Sequence, residues 1–287
     1  MTTRTANEYL EINGNGESVT YLSATKPIKA PKPIAKPKFK KPSGYIIYRG
    51  ASLLDGKPIV VVAITKESKN SKTGNMVQTY IMADNGLSPV ESARILDDVS
   101  VCGDCKHRRG MGGSCYVNLG QGARSVMDGV MRGIYPEIWS SIEVMESYLA
   151  AVKGRKVRLG TYGDPAAVHA YVWGMALTDT AGHTGYTHQW ASGKADHVKQ
   201  WCMASADTPK ETALAKMDGW RTFRVRQADG TPEFSHEMVC PASEEAGKRL
   251  TCSTCMACSG GIDSKKASVT IIVHGSLKNR FAASIAA

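Results

Sequence analysis

The chain has 287 residues, of which 42% are hydrophobic and 22% charged, with a formal net charge of +10 and eight cysteines. These are globular values, enough for one large domain or two ordinary ones, and they exclude a peptide-sized metal knuckle. No apolar run approaches the roughly 20 residues that a spanning helix needs, which excludes a helical membrane protein.

The first residues, MTTRTANEYLEINGNGES, contain no apolar signal-type region, so the expected location is a reducing cytoplasm. There, clustered cysteines point to metal or iron–sulfur ligation and not to disulfides. The stretch KPIKAPKPIAKPKFKKP holds Lys26, Lys29, Lys32, Lys36, Lys38, Lys40 and Lys41, five prolines and no acid, and it accounts for seven of the ten net positive charges. Proline at that density favours an extended tether without a packed core, so residues 1–43 are expected to be a disordered basic arm. Such an arm can touch nucleic acid or an acidic partner, or serve as a solvated linker.

From Gly44 onward a single α/β domain is expected, to residue 287. Tyr45 to Arg49, Pro58 to Ile64 and Met76 to Met82 are β-rich, and the last two flank a turn-like KESKNSKTGN, which predicts a hairpin. Ser88-Pro89 opens a helix. Helical spacing then covers Ala123 to Arg132 and Glu137 to Val152. After Lys153, short apolar strands alternate with helical segments at Val157 to Tyr162, Thr184 to Trp190, Cys202 to Ser205, Trp220 to Val225, Met238 to Cys240 and Ala267 to His274. Strands separated in this way pair in parallel through right-handed crossovers. The expected fold is a partial (βα) barrel-like core of about six parallel strands with an N-terminal β-hairpin, and a doubly wound sheet is the competitor.

The chemistry-bearing residues fall at the carboxyl ends of those strands, where the active sites of such folds collect. Cys240-Pro241 is followed by Cys252-Ser-Thr-Cys255-Met-Ala-Cys258, a thiolate run matching the ligands of a [4Fe–4S] cluster; four thiolates also satisfy tetrahedral zinc. CGDCKHRRGMGGSCY supplies Cys102, Cys105 and Cys115 with no evident fourth ligand, and three-point ligation leaves a position open to substrate or cofactor. His107, Cys202 or Cys240 could close that site instead. Asp164, in Gly-Asp-Pro, reads as a helix cap or a substrate-binding carboxylate. His188 reads as a core histidine, a ligand or a general acid–base group. Asp207 reads as a cap or a catalytic carboxylate. Arg224 and Arg226 share a strand face suited to an anion or to solvent. Walker, GxGxxG, HExxH and GxSxG motifs are missing, which removes the ATPase, nicotinamide and hydrolase readings.

With KTGNMVQTYIM, CGDCKHR, SCYVNLGQG, RLGTYGDPAAV, YTHQW, MASADT, GWRTFRVR and CPASEEAGKRLTCSTCMACSG assembled, the chain resembles a family of uncharacterised proteins encoded by bacteriophages and prophages. The resemblance covers nearly everything after the basic arm and implies a location in the bacterial host cell. A looser resemblance is to radical S-adenosylmethionine enzymes, which implies a partial βα barrel, a three-cysteine cluster and an auxiliary cluster. Those enzymes typically read C-x3-C-x2-C, whereas this chain reads C-x2-C-x9-C.

The expected function is therefore that of a phage-encoded protein binding one or two [4Fe–4S] clusters, with redox or radical chemistry at the open three-cysteine centre and S-adenosylmethionine as a candidate cofactor. Asp164, His188 and Asp207 would face that centre. The alternative is a zinc-stabilised nucleic-acid-binding or host-interaction protein.

Overall fold

The computed structural model describes residues 8–12, 18–22, 41–67, 71–228, 234–260 and 266–286. The chain divides into two units, Met1–Lys40 and Lys41–Ala287. In the first, β1 (Glu8–Ile12) and β2 (Ser18–Leu22) pair antiparallel, with Glu8 opposite Leu22. The expectation of an arm without regular structure over residues 1–43 did not include this hairpin, although the Asn-Gly pairs between its strands are a strong turn signal. Lys26, Lys29, Lys32, Lys36, Lys38 and Lys40 lie outside the described residues, and Lys41 is exposed.

The second unit opens with β3 (Gly44–Ala51), β4 (Pro58–Ile64) and β5 (Val77–Ala83), an antiparallel meander. The chain then leaves the sheet through α1 (Pro89–Arg94) and α2 (Val99–Cys102). Ser88 and Glu91 cap α1 reciprocally, which satisfies two backbone donors that the first turn would otherwise orphan. Helices α3 (Arg124–Met131) and α4 (Ile142–Val152) follow. Helix α4 begins five residues later than the spacing predicts. Residues 136–138 bond to Ile46 at the edge of β3 instead, through Ile46 N–H to the Pro136 carbonyl and Ile138 N–H to the Ile46 carbonyl, both at 3.0 Å.

Next come β6 (Lys156–Tyr162), α5 (Ala170–Ala176), β7 (Gly182–Thr184) and β8 (Tyr186–Thr187), then β9 (Met203–Ala206), α6 (Pro209–Met217) and β10 (Thr222–Arg226). The chain closes with β11 (Glu237–Val239), α7 (Cys252–Cys255), β12 (Ser268–Ile272) and α8 (Phe281–Ala286). One five-stranded sheet has the order β3-β4-β5-β6-β7, and its β5–β6 and β6–β7 ladders are parallel. The other, β11-β12-β10-β9-β8, is parallel throughout. Helix α5 packs on β3, α2 on β4 and β5, and α6 on β9 and β10.

The parallel pairing expected after Lys153 is present, but it is distributed over two sheets. The C-terminal strand β12 inserts between β10 and β11, so strand order departs from chain order. No ladder among the described residues joins edge strands β3 and β11 into a barrel. Among the described residues no helix is long and apolar enough to cross a membrane.

The junction between the sheets is a single residue. The extended run 182–187 pairs with β6 through Gly182 to Thr184 and with β9 through Tyr186 and Thr187, changing partner at Gly185. Here a Cβ would stand 2.7 Å from Cys202 Sγ, a separation that real side chains essentially never show, and 3.0 Å from the Trp201 carbonyl oxygen, so a neighbour would have to shift. Gly185→Val is therefore expected to cost about 1–3 kcal/mol by overpacking, read as a lower urea midpoint at unchanged slope. An unchanged midpoint would remove Gly185 from this role.

Candidate functional site: a cavity lined by two cysteine sets

A cavity of about 400 Å³ opens along the carboxyl ends of β6, β8, β9, β10 and β11. Its walls include Cys102, Cys105 and Cys115, and also Cys240, Cys252, Cys255 and Cys258. Asp164, His188 and Asp207 line it too. Seven of the cysteines and the three candidate catalytic residues singled out in the sequence thus come together in one place, whereas Cys202 lies elsewhere. That residue is fully buried beneath Gly185 and contributes to the core, the simpler of its two readings.

The first set is built by a loop that returns on itself. Helix α2 ends at Cys102, and Gly103 follows at φ 56°, where its missing Cβ leaves room for the Gln189 side chain, which donates to the Cys102 carbonyl at 3.1 Å. Cys105 N–H donates to the Cys102 carbonyl at 3.2 Å, and Cys115 N–H to the His107 carbonyl at 2.9 Å. That last bond folds the nine-residue gap back, so Cys115 rejoins Cys102 and Cys105.

The second set is tied to three parts of the fold. Cys240 extends the β11–β12 ladder by donating to the Thr270 carbonyl at 2.9 Å, and Cys252 N–H donates to the Lys72 carbonyl at 2.7 Å. The buried Arg221 guanidinium donates to the carbonyls of Ala257 and Gly260, each at 2.7 Å, and of Ala267 at 2.6 Å. Lys156 Nζ donates to the Ser253 carbonyl at 2.5 Å. Arg221 thereby anchors to β10 a loop whose own carbonyls have few backbone partners.

Burial pushes the Cys105 thiol up to about 12, with the carboxylates of Asp164 and Asp207 adding to it against a backbone hydrogen bond at His107. Burial likewise raises Cys115 to about 11 and Cys258 to about 12. Cys102 is raised by burial and then by Cys105 and Cys115, whereas Cys258 is raised by burial and by Cys240, Cys252 and Cys255. The sulfurs therefore act on one another as two groups facing one cavity. Thiols in this state are neutral at pH 7, and a bound cation that takes them as thiolates displaces their protons.

Asp164 takes the capping role considered for it and also lines the cavity. One carboxylate oxygen accepts from Ala166 N–H at 3.0 Å as a helix cap, and the other accepts from His188 N–H at 2.8 Å at the cavity wall. Burial nevertheless leaves its carboxyl above the usual range. Asp207 is pushed the opposite way. Its burial is outweighed by a hydrogen bond with His107 and by the charges of His188, His107 and Lys106, which hold it below the usual carboxylate range. Thr208, not Asp207, caps α6.

Arg224 and Arg226 face away from the cavity, since Phe223 and Val225 line it from the same strand. Arg224 makes a bidentate pair with Glu237, at 2.9 Å from Nε to Oε1 and 2.7 Å from Nη2 to Oε2, and both side chains are fully buried. Arg226 pairs with Glu245. Internal carboxylates thus occupy the fork geometry that suggested an anionic ligand. Sequence reasoning missed Arg158, Tyr186 and Ser114, which line the cavity from inside strands or beside a cysteine without any motif of their own. Tyr186, whose ring lies 4.6 Å from that of Phe223, shares a hydrogen bond with Cys258. The chain matches no family model, no curated protein and no solved structure.

The Arg224–Glu237 pair reaches across β12 to hold β11, the strand that delivers Cys240. Glu237→Gln withdraws the carboxylate charge from a fully buried ion pair and is expected to cost about 3–5 kcal/mol in chemical denaturation. A loss below about 1 kcal/mol would show that the pair does not anchor this edge.

Proposed function

We propose that this chain is an iron–sulfur-cluster-binding protein with a closed centre on Cys240, Cys252, Cys255 and Cys258 and an open centre on Cys102, Cys105 and Cys115. The cavity between them would be the seat of redox or radical chemistry. The observation that carries this reading is the convergence of seven of the eight cysteines, from distant parts of the chain, on one cavity at the strands' carboxyl ends.

The donor chemistry fits. Buried thiols that repel one another's charge are stabilised as thiolates by a cationic centre, and hydrogen bonds such as that of Tyr186 to Cys258 tune such centres. Zinc is the competing occupant. A Zn–S bond of about 2.3 Å places the sulfurs of a tetrahedral site roughly 4 Å apart or less. The second set supplies four thiolates, enough for either occupant, and metal analysis separates the two.

When bound, a cluster supplies one-electron chemistry and, where only three thiolates hold it, an iron able to take a further ligand. The chain's own residues define what can approach that position. Asp164 offers a carboxylate fixed by two backbone donors, and His188 and Asp207 stand beside it. On this reading the two sheets joined at Gly185 form the wall of a partial βα barrel. S-adenosylmethionine is the candidate cofactor, and the protein works in the cytoplasm of a bacterial host that carries the phage.

Iron and acid-labile sulfide, measured on anaerobically purified protein, test the proposal. Iron with sulfide is expected, reduced in part in each of Cys105→Ala and Cys255→Ala. Stoichiometric zinc without sulfide would overturn it.

A further inference from the structure

The cavity carries a second set of ligand atoms that contains no sulfur. His107, His188 and Asp207 each present one nitrogen or oxygen, and these three atoms lie within 4.8 Å of one another. They arrive from three separate places: the first cysteine loop, the end of β8 and the end of β9. His107 and Asp207 are buried, and His188 is half-buried.

The surroundings hold each of them in place. Ser114 Oγ lies 2.7 Å from His107 Nδ1, which leaves Nε2 directed at Asp207 Oδ2, also at 2.7 Å. The Phe281 ring stacks on His107 at 5.6 Å with an interplanar angle of 3°. Lys106 Nζ is 3.3 Å from Asp207 Oδ2, and Glu211 accepts from both Lys106, at 2.7 Å, and Asp207 N–H, at 2.6 Å. The His188 imidazole makes no hydrogen bond to any described residue, although its backbone N–H is fixed by Asp164. The His188 ring packs edge-on against His107, with centroids 5.4 Å apart, so an imidazole with no hydrogen-bond partner among the described residues stands beside a fixed imidazole–carboxylate pair.

We propose that His107, His188 and Asp207 bind one divalent transition-metal ion, distinct from the thiolate centres, with its remaining coordination positions open to the cavity. Two imidazoles and one carboxylate are a donor set of intermediate softness, shared by catalytic zinc sites and by non-haem iron(II) sites. Three protein ligands leave positions for water or substrate. The Ser114 contact on the far nitrogen of His107 is the outer-shell hydrogen bond that metal-binding histidines regularly make. The site needs no thiolate and so does not depend on the iron–sulfur reading. It also gives His107 a different task from that of a fourth ligand to Cys102, Cys105 and Cys115.

Mn2+ is the probe, because it favours oxygen and nitrogen donors over thiolates. Titration of the full chain, followed by electron paramagnetic resonance, is expected to remove one equivalent of the free-ion signal. The bound ion should show hyperfine coupling to imidazole nitrogen in the unaltered protein. His188→Asn and Asp207→Asn should each weaken binding by more than about tenfold, and Ser114→Ala by about tenfold. Cys105→Ala and Cys255→Ala should retain it. Because His188 makes no side-chain hydrogen bond, His188→Asn and the nitrogen coupling remain decisive if Asp207→Asn fails to fold. Absence of nitrogen coupling, unchanged affinity in His188→Asn, or an equal loss in Cys105→Ala would overturn the proposal. Mn2+ bound through imidazole in protein devoid of iron and sulfide would overturn the iron–sulfur reading alone.

Discussion

The extended run from Gly182 to Thr187 has to serve two neighbours, and a close approach at one residue lets it do so. Its first half completes the ladder on β6 and its second half begins the ladder on β9, while Cys202 and the Trp201 carbonyl fill the space that any side chain at position 185 would need. This change of partner joins the two sheets, and the carboxyl ends of β6, β8 and β9 line one cavity. Asp164, His188 and Asp207 follow directly from those three ends, so the composition of the cavity wall is a consequence of the backbone path.

A second constraint concerns charge. Seven sulfurs line one cavity, and burial drives Cys105, Cys115 and Cys258 toward neutral thiols. Desolvation of this kind is costly to reverse unless a cation is supplied at the same moment. In the proposed reading the loops are built for that occupant. Arg221 spends its donors on carbonyls of the second cysteine loop, and the backbone bond from Cys115 to His107 returns the third sulfur of the first set. The imidazoles and carboxylate beside the first set extend the same economy of placement to a thiolate-free site.

Much of this was legible in the sequence because it is carried by local chemistry. The helix start at Ser88-Pro89, the β-rich runs that became β4, β5 and β6, and the placement of special residues after strands all follow from short-range rules, whereas the cap of α6 falls on Thr208, one residue past the Asp207 that the sequence suggested. What escaped is long-range. The segment CPASEEAGKR has helical composition but runs as turns, with Gly247 and Lys248 at positive φ, because Cys240 and Leu250 are bonded to the sheet edge and to Pro241. Arg224 and Arg226 looked like an anion site because their partners, Glu237 and Glu245, stand beyond a loop whose course the sequence does not reveal. The insertion of β12 between β10 and β11 is likewise invisible to any periodicity. Ser114 and Arg158 gained meaning only when the cavity assembled around them.

At the centre of the proposal stand two separate iron–sulfur centres, one on each cysteine set lining the same cavity. Anomalous diffraction at the iron edge, from crystals of anaerobically purified protein, addresses it most directly. The account predicts two iron-containing peaks in the cavity, one bounded by Cys102, Cys105 and Cys115 and the other by Cys240, Cys252, Cys255 and Cys258. Tetrahedral zinc at the cysteines with no iron signal, or cysteine sulfurs turned away from a shared cavity, would contradict it.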